Sequence, residues 1–145
     1  MSEENVELIR LAVEAYRNPD VLAALANGDL DFQLIDANVE WDASRAADLV
    51  PDLAGVYWGH EGMRTYWRRW FDAWKDLQFE VQAVLDAGED VVVLIRNQHQ
   101  WGRHTGIRTD FPPWAMVFTM RDGKLVRWRA FPDHQSALKA AGLNK

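Results

Sequence analysis

Arg96 lies in the run "VVVLIRN" (91–97), immediately after Leu94 and Ile95. A guanidinium in a strand that begins as buried apolar sequence is costly to desolvate unless it is paired. Arg96 therefore calls for a carboxylate partner or a ligand anion, and in such a place it can anchor or polarise an oxygen. The alternative is a place near a pocket mouth, with a salt bridge to Asp42 or Asp110. Other groups able to move protons are few. Asp42, Asp110 and Asp133 fall near the ends of expected strands, and His60 opens an expected helix. Asp133 also suits a helix cap, and His60 also suits a helix-entry role. The candidate catalytic residues are thus Arg96, Asp42 and His60.

Several chemistries are excluded by residue type. The 145-residue chain has no cysteine, which removes disulfides, thiolate metal sites and cysteine nucleophiles. His99, His104 and His134 show no metal-site spacing with a carboxylate, so neither a metal nor a cofactor is expected. The serines lie in expected caps, loops or the last helix and support no Ser-His-Asp triad.

The segment "TYWRRWFDAW" (65–74) raises a different possibility, a stacking surface for nucleic-acid bases. A formal net charge of −6 argues against it, because affinity for polyphosphate comes largely from neutralised phosphates. The spacing argues for a helix instead. Met63, Tyr66, Trp67, Trp70, Phe71 and Trp74 recur at helical intervals, while Arg64, Arg68, Asp72 and Lys75 fall elsewhere on the wheel. No nucleic-acid partner is expected. No apolar run approaches the ~20 residues needed to span a bilayer, so no membrane partner is expected either. The acidic opening "MSEENVELIR" lacks the layout of a signal peptide, which makes the cytoplasm the expected location.

The elements that must position these residues follow from capping and periodicity. Ser2 is a plausible N-cap for a first helix that Pro19 ends, and Asp20 can cap a short second helix that Gly28 stops. A third short helix is expected from Leu30 to Asp36. Val39, Trp41 and Ala43 alternate with Glu40 and Asp42 as in a half-buried strand. Residues 44–58 are irregular, with a short strand near Val56 and Tyr57, and the aromatic helix follows. Strands are then expected at 79–85, at 91–101, across an interruption at Pro112 and Pro113, and at 125–131. Asp133 caps a final helix stopping at Gly142. Helices first and hairpins later predict one α+β domain over 1–145, with a curved sheet wrapped around the helices.

In the order and spacing of "NVEWD" (38–42), "GHEGMRTYW" (59–67), "RDGKLVRWR" (121–129) and "FPDHQSALKAAGL" (131–143), the chain resembles the nuclear transport factor 2-like superfamily, specifically its SnoaL-like, polyketide cyclase-like branch. The resemblance covers nearly the whole chain. It implies a cone-shaped antiparallel or mixed β-sheet closed by N-terminal helices and one long helix, a cystatin-like α+β roll. It further implies a pocket inside the cone and a homodimer through the outer sheet face. It does not imply one activity, because the superfamily holds isomerases, cyclases, dehydratases, epoxide hydrolases and binding modules. The ketosteroid isomerase pattern of one aspartate base and two acidic donors falls on Trp41, Val13 and Met116, none of which can do that work. The limonene epoxide hydrolase pattern keeps Arg96, Trp128 and Arg129 but places Gln98 and Ala130 at its two aspartates. The cyclase pattern, an acid/base aspartate with a histidine nearby, has only the candidates already named.

On that fold, period-two alternation assigns a face. If Trp41 points inward, so do Val39 and Ala43, and the 91–101 strand offers Val92, Leu94, Arg96, Gln98 and Gln100. The remaining pocket candidates are Trp114, Met116 and Phe118, then Val126, Trp128 and Ala130, with Met63, Tyr66 and Trp70 from the long helix. Arg127, Arg129 and Phe131 are left for the outer face. The expected partner is a small hydrophobic molecule, taken up by an enzyme acting on a cyclic or polyketide-like substrate through isomerisation, cyclisation or hydration. A non-catalytic carrier or sensor, or a dimeric interaction module, is the alternative.

Overall fold

In the first helix, α1 (Ser2–Ala15), Glu3 and Glu4 occupy the first turn, where carboxylates favour the positive helix end, and Ile9 and Val13 are buried. The computed structural model describes residues 2–27 and 33–143. The second helix, α2 (Pro19–Asn27), begins on the proline, whose fixed φ suits a first helical position. Its cap is Asn18 rather than Asp20: the Asn18 side-chain oxygen accepts the Asp20 N–H at 2.9 Å. The expected third helix is not formed where the structure is described. Gln33 and Leu34 make a turn and Ile35 already opens β1 (Ile35–Asp42); residues 28–32 lie outside the described residues. Sheet pairing overrides the local preference there, since Ile35 is in register with Leu125 and Leu125 donates to the Leu34 carbonyl at 2.8 Å.

Two short 3-10 turns, Ser44–Ala46 and Pro51–Leu53, lead to β2 (Val56–Trp58) and the long helix α3 (Gly59–Ala73). Met63, Tyr66, Trp67 and Trp70 are buried while Arg68 and Arg69 are exposed, as the spacing predicts. The helix ends sooner than expected, because Trp74 and Lys75 already pair with Gly102 and Trp101. The sheet then continues through β3 (Trp74–Ala87), β4 (Asp90–Gly102), β5 (Arg108–Asp110), β6 (Trp114–Arg121) and β7 (Lys124–Phe131). Asp122 and Gly123 both take positive φ in the β6–β7 hairpin, the backbone a two-residue turn requires. The last helix, α4 (His134–Ala140), is capped by Asp133, which accepts the Ser136 N–H at 2.7 Å.

The strands form one sheet in the order β2-β1-β7-β6-β4-β3, with β5 also paired to β4. Only β1 and β7 run parallel among these pairs. The α+β architecture is therefore the expected one, a curved sheet packed on α1–α3. The sheet has two apolar faces. The inner one joins Trp41, Val93, Ile95, Phe118 and Trp128 to the helices. On the outer one, Val92, Leu94, Ala115, Val117 and Phe131 pack with Ala137 of α4. Much of the outer face that would carry a homodimer is thus already buried within the monomer.

One irregularity decides which side chains face inward. Gln78 pairs with His99 and Glu80 with Arg96, so β4 carries one residue more than β3 between these pairs. The extra residue is accommodated at Asn97, whose φ is 51°. An inserted residue reverses the alternation. Before the bulge Val91, Val93 and Ile95 face the helices; after it Gln98 and Gln100 do.

Candidate functional site

The bulge corrects the expected inner face of β4. Leu94 belongs to the outer apolar cluster, and the Arg96 side chain is 50% exposed and faces Glu80 at 4.0 Å. Arg96 therefore meets neither Asp42 nor Asp110, and it carries no buried charge. Val92 is likewise an outer-face residue. Gln98 and Gln100 are inward, as expected, and so are Trp41, Tyr66, Trp70, Trp114, Met116, Trp128 and Ala130, all of which line a cavity of about 70 Å³. Met63 and Phe118 are buried in the same core but lie outside the cavity wall.

Asp42 follows Trp41 in β1 and points to the opposite side of the strand. It accepts from the Ser44 hydroxyl at 2.6 Å, the Ser44 N–H at 2.9 Å and Arg45 at 2.6 Å. Burial pushes this carboxyl up, but the Ser44 hydrogen bonds and the Arg45 guanidinium together outweigh burial and hold it below its ordinary value. Asp42 is thus a fixed anion that organises the start of the 44–46 turn. His60 bonds the Ile35 carbonyl at 2.8 Å, tying the start of α3 to β1. Asp110 pairs with Arg108 and His134 bonds the Ile95 carbonyl. Among the described residues, no group of three histidines and carboxylates could hold a metal ion.

The cavity wall is aromatic because α3 and three strands each contribute indoles or phenols. Trp41 and Trp128 are register partners on the parallel strands β1 and β7, and they stack at 4.4 Å with their planes 14° apart. Tyr66 closes on both, at 5.9 Å from Trp41 and 5.6 Å from Trp128. Leu49, Val50 and Leu53 complete the wall from the irregular segment; they also border an outer groove beside Arg69, Asp72 and His104. These three, with Tyr16 and Phe79, are among the wall residues that the expected lining lacks. No periodicity marks a coil segment as a wall, and Phe79 sits where β3 has its own register shifts.

The polar groups of the cavity are uncharged. Among the described residues, no aspartate, glutamate, lysine, arginine or histidine lines it. The Trp114 indole donates to Gln98 Oε1 at 2.8 Å, and Gln98 Nε2 donates to Gln100 Oε1 at 3.0 Å. An indole N–H can only donate, so it fixes the orientation of both amides. Gln100 Nε2 is left without a hydrogen-bond partner among the described residues, as are the indole nitrogens of Trp41, Trp67 and Trp128. A buried donor without a partner costs about 1–3 kcal/mol. Burial also pushes the Tyr16 and Tyr66 phenols well above their ordinary value, which keeps both protonated.

With the fold and cavity in place, comparison with known proteins is informative. The sequence pattern of the SnoaL-like domain matches residues 13–128. No curated protein matches the chain. Solved structures do. An NTF2-like protein from Burkholderia pseudomallei superposes with a TM-score of 0.69 at 17% identity, over 93% of this chain and 95% of that one. A protein of ketosteroid isomerase-like fold from Catenulispora acidiphila, solved with trimethylamine, gives 0.60 at 15% identity, over 90% and 92%. TerC, co-crystallised with polyporic acid, gives 0.57 at 20% identity, over 83% and 93%. The chain belongs to the SnoaL-like domain family, and its fold is the one seen in these NTF2-like structures.

Proposed function

We propose that this SnoaL-like protein binds a small, cyclic, predominantly apolar molecule inside its cone and acts as a carrier or sensor of it. The observation that carries this reading is the wall itself: aromatic and aliphatic side chains with two amides and, among the described residues, no ionisable group other than phenols. A cavity of about 70 Å³ suits few non-hydrogen atoms, well below the ~300–1,000 Å³ of drug-sized pockets. Entry of anything as large as a benzene ring requires the Leu49, Val50 and Leu53 wall to yield. The small molecules named with two structural relatives, trimethylamine and polyporic acid, support a ligand-holding cone in this fold.

A catalytic reading is favoured by one separate observation. Tyr16 and Tyr66 both line the cavity, and a phenol hydroxyl can donate to an oxygen on which charge develops. Isomerisation, cyclisation or hydration of a substrate that needs only a polarised oxygen fits such a site; chemistry needing a carboxylate base in the cavity does not.

The test is a titration of the protein with ethylbenzene and acetophenone, read by quenching of tryptophan fluorescence and by the rise in Tm. Saturable binding that disappears in Ala130→Leu, which fills the cavity, is the expected result. No saturable change with either compound, or binding unaltered in a folded Ala130→Leu protein, refutes the reading.

A further inference from the structure

The cavity shares a wall with a larger space outside it. We propose that the ligand spans both: an uncharged aryl-alkyl alcohol, or a molecule built like one, whose ring fills the cavity while its chain lies in the outer groove and ends in a hydroxyl beside Arg69 and Asp72. This rests on the cavity being a binding site, and deepens that reading.

The cavity holds about 70 Å³ and the groove about 490 Å³. Leu49, Val50 and Leu53 border both, and Pro51, Ala73 and Trp74 add apolar surface to the groove. A ring too large for the cavity displaces that shared wall, and a displaced wall opens the cavity to the groove. The backbone of the wall allows this, because its hydrogen bonds are local. The N–H groups of Leu49 and Val50 donate to the Ala46 carbonyl at 2.9 and 3.0 Å, Leu53 donates to Val50 at 2.9 Å, and Ala54 to Pro51 at 3.3 Å. Ala43 and Gly55 close the segment at its base at 2.8 Å. The four inner bonds are not rungs of the sheet, so residues 47–54 can shift outward as a unit without breaking the ladder. The Tyr57 hydroxyl, bonded to the Leu53 carbonyl, ties the segment to β2.

The polar rim of the groove narrows the end group. Arg69 and Asp72 stand one helical turn apart on α3, Asp52 adds a second acid from the irregular segment, and His104 comes from the turn after β4. A carboxylate at the chain end would pair with Arg69 but face Asp52 and Asp72. An ammonium would pair with the acids but face Arg69. A hydroxyl donates to a carboxylate and accepts from a guanidinium, so it meets both kinds of group without adding charge. Arg69 gives an N–H to the Tyr57 hydroxyl at 3.2 Å, and a guanidinium carries several more for a ligand.

A length series tests this: benzyl alcohol, 3-phenylpropan-1-ol and 5-phenylpentan-1-ol, with 5-phenylpentanoate and 5-phenylpentylamine as charged counterparts of the longest. Binding is measured by tryptophan quenching and calorimetry on wild type and on Ala73→Phe, which fills the groove at a residue that does not line the cavity. The pentanol is expected to bind wild type about tenfold tighter than the propanol, the effect of burying two further CH2 groups, and tighter than either charged counterpart. In Ala73→Phe the gain with length should largely vanish while benzyl alcohol binds as before. Saturable binding of benzyl alcohol with no gain along the series overturns the inference and leaves the cavity reading standing. A gain undiminished in a folded Ala73→Phe protein puts the chain outside the groove and overturns it too. Tighter binding of the acid or the amine than of the pentanol overturns the assigned end group. Binding of none of the five overturns the cavity reading and the inference with it. If Ala73→Phe does not fold, the smaller Ala73→Leu carries the same comparison.

Discussion

Trp41 of β1 and Trp128 of β7 lie face to face at 4.4 Å because the two strands run parallel with these residues in direct register. That pairing gives the inner sheet face its rigid centre, and Tyr66 from α3 packs against both rings. Trp41 is 0% exposed. Trp41→Ala should therefore destabilise the fold by about 3–5 kcal/mol, as large-to-small changes at buried tryptophans do. Urea denaturation monitored by circular dichroism measures it, and a loss below about 1 kcal/mol would mean the stack is dispensable.

Asp42 gives the stability a pH dependence whose sign is fixed. Its folded-state pKa is depressed below the ordinary 3.8, so the charged form is favoured by folding. The stabilisation is complete above that ordinary value and is lost as pH falls through the lower folded-state value. Asp42→Asn should flatten this acidic limb and cost about 1–3 kcal/mol at neutral pH, since it weakens the bonds to Ser44 and Arg45. Denaturation midpoints of both proteins between pH 7 and about pH 2 provide the check. An unchanged acid limb would assign the dependence to another carboxylate.

Asn97 holds a left-handed conformation that reverses the alternation of β4. Asparagine and glycine tolerate that backbone; a β-branched residue does not. Asn97→Val should destabilise by about 1–2 kcal/mol and Asn97→Gly by much less, even though glycine gives up the exposed hydrogen bond to Glu80. Chemical denaturation of the two variants side by side tests the order. Equal losses would show that the side-chain bond, not the backbone, is what matters at this position.

The irregular segment is latched by Tyr57, which donates its hydroxyl to the Leu53 carbonyl at 3.0 Å and accepts from Arg69 at 3.2 Å. Leu53 also lines the cavity, so the latch bears on access. Tyr57→Phe removes both bonds, each worth about 0.5–1.5 kcal/mol, and should raise the association and dissociation rates of acetophenone together, severalfold, with Kd little changed. Stopped-flow tryptophan quenching separates the two rates. Rates identical to wild type would place the entry route elsewhere.

Much of the fold could be read from local pattern. The aromatic face of α3, the alternation that turns Trp41, Met116, Trp128 and Ala130 inward, and the Asp133 cap all depend on residues close in sequence. So did the loss of known catalytic patterns at Trp41, Met116 and Ala130, which are apolar wherever they point. The failures share one cause. Arg96 and Leu94 were given the wrong face because a bulge is set by the pairing of β4 with β3, not by β4 alone. The expected helix reaching Asp36 gave way to a ladder with β7, a strand about ninety residues away.

The sequence by itself determined most of the order of elements, the family, and an interior rich in tryptophan and poor in charge, because these follow from residue type and short-range periodicity. The tertiary structure decided which polar groups meet. Gln98 and Gln100 acquire an orientation only when β6 brings the donor-only Trp114 indole within 2.8 Å. Arg96 leaves the interior only because one extra residue in β4 turns it toward Glu80. Hydrogen-bond direction and strand register are properties of neighbours across the sheet, and no single segment encodes them.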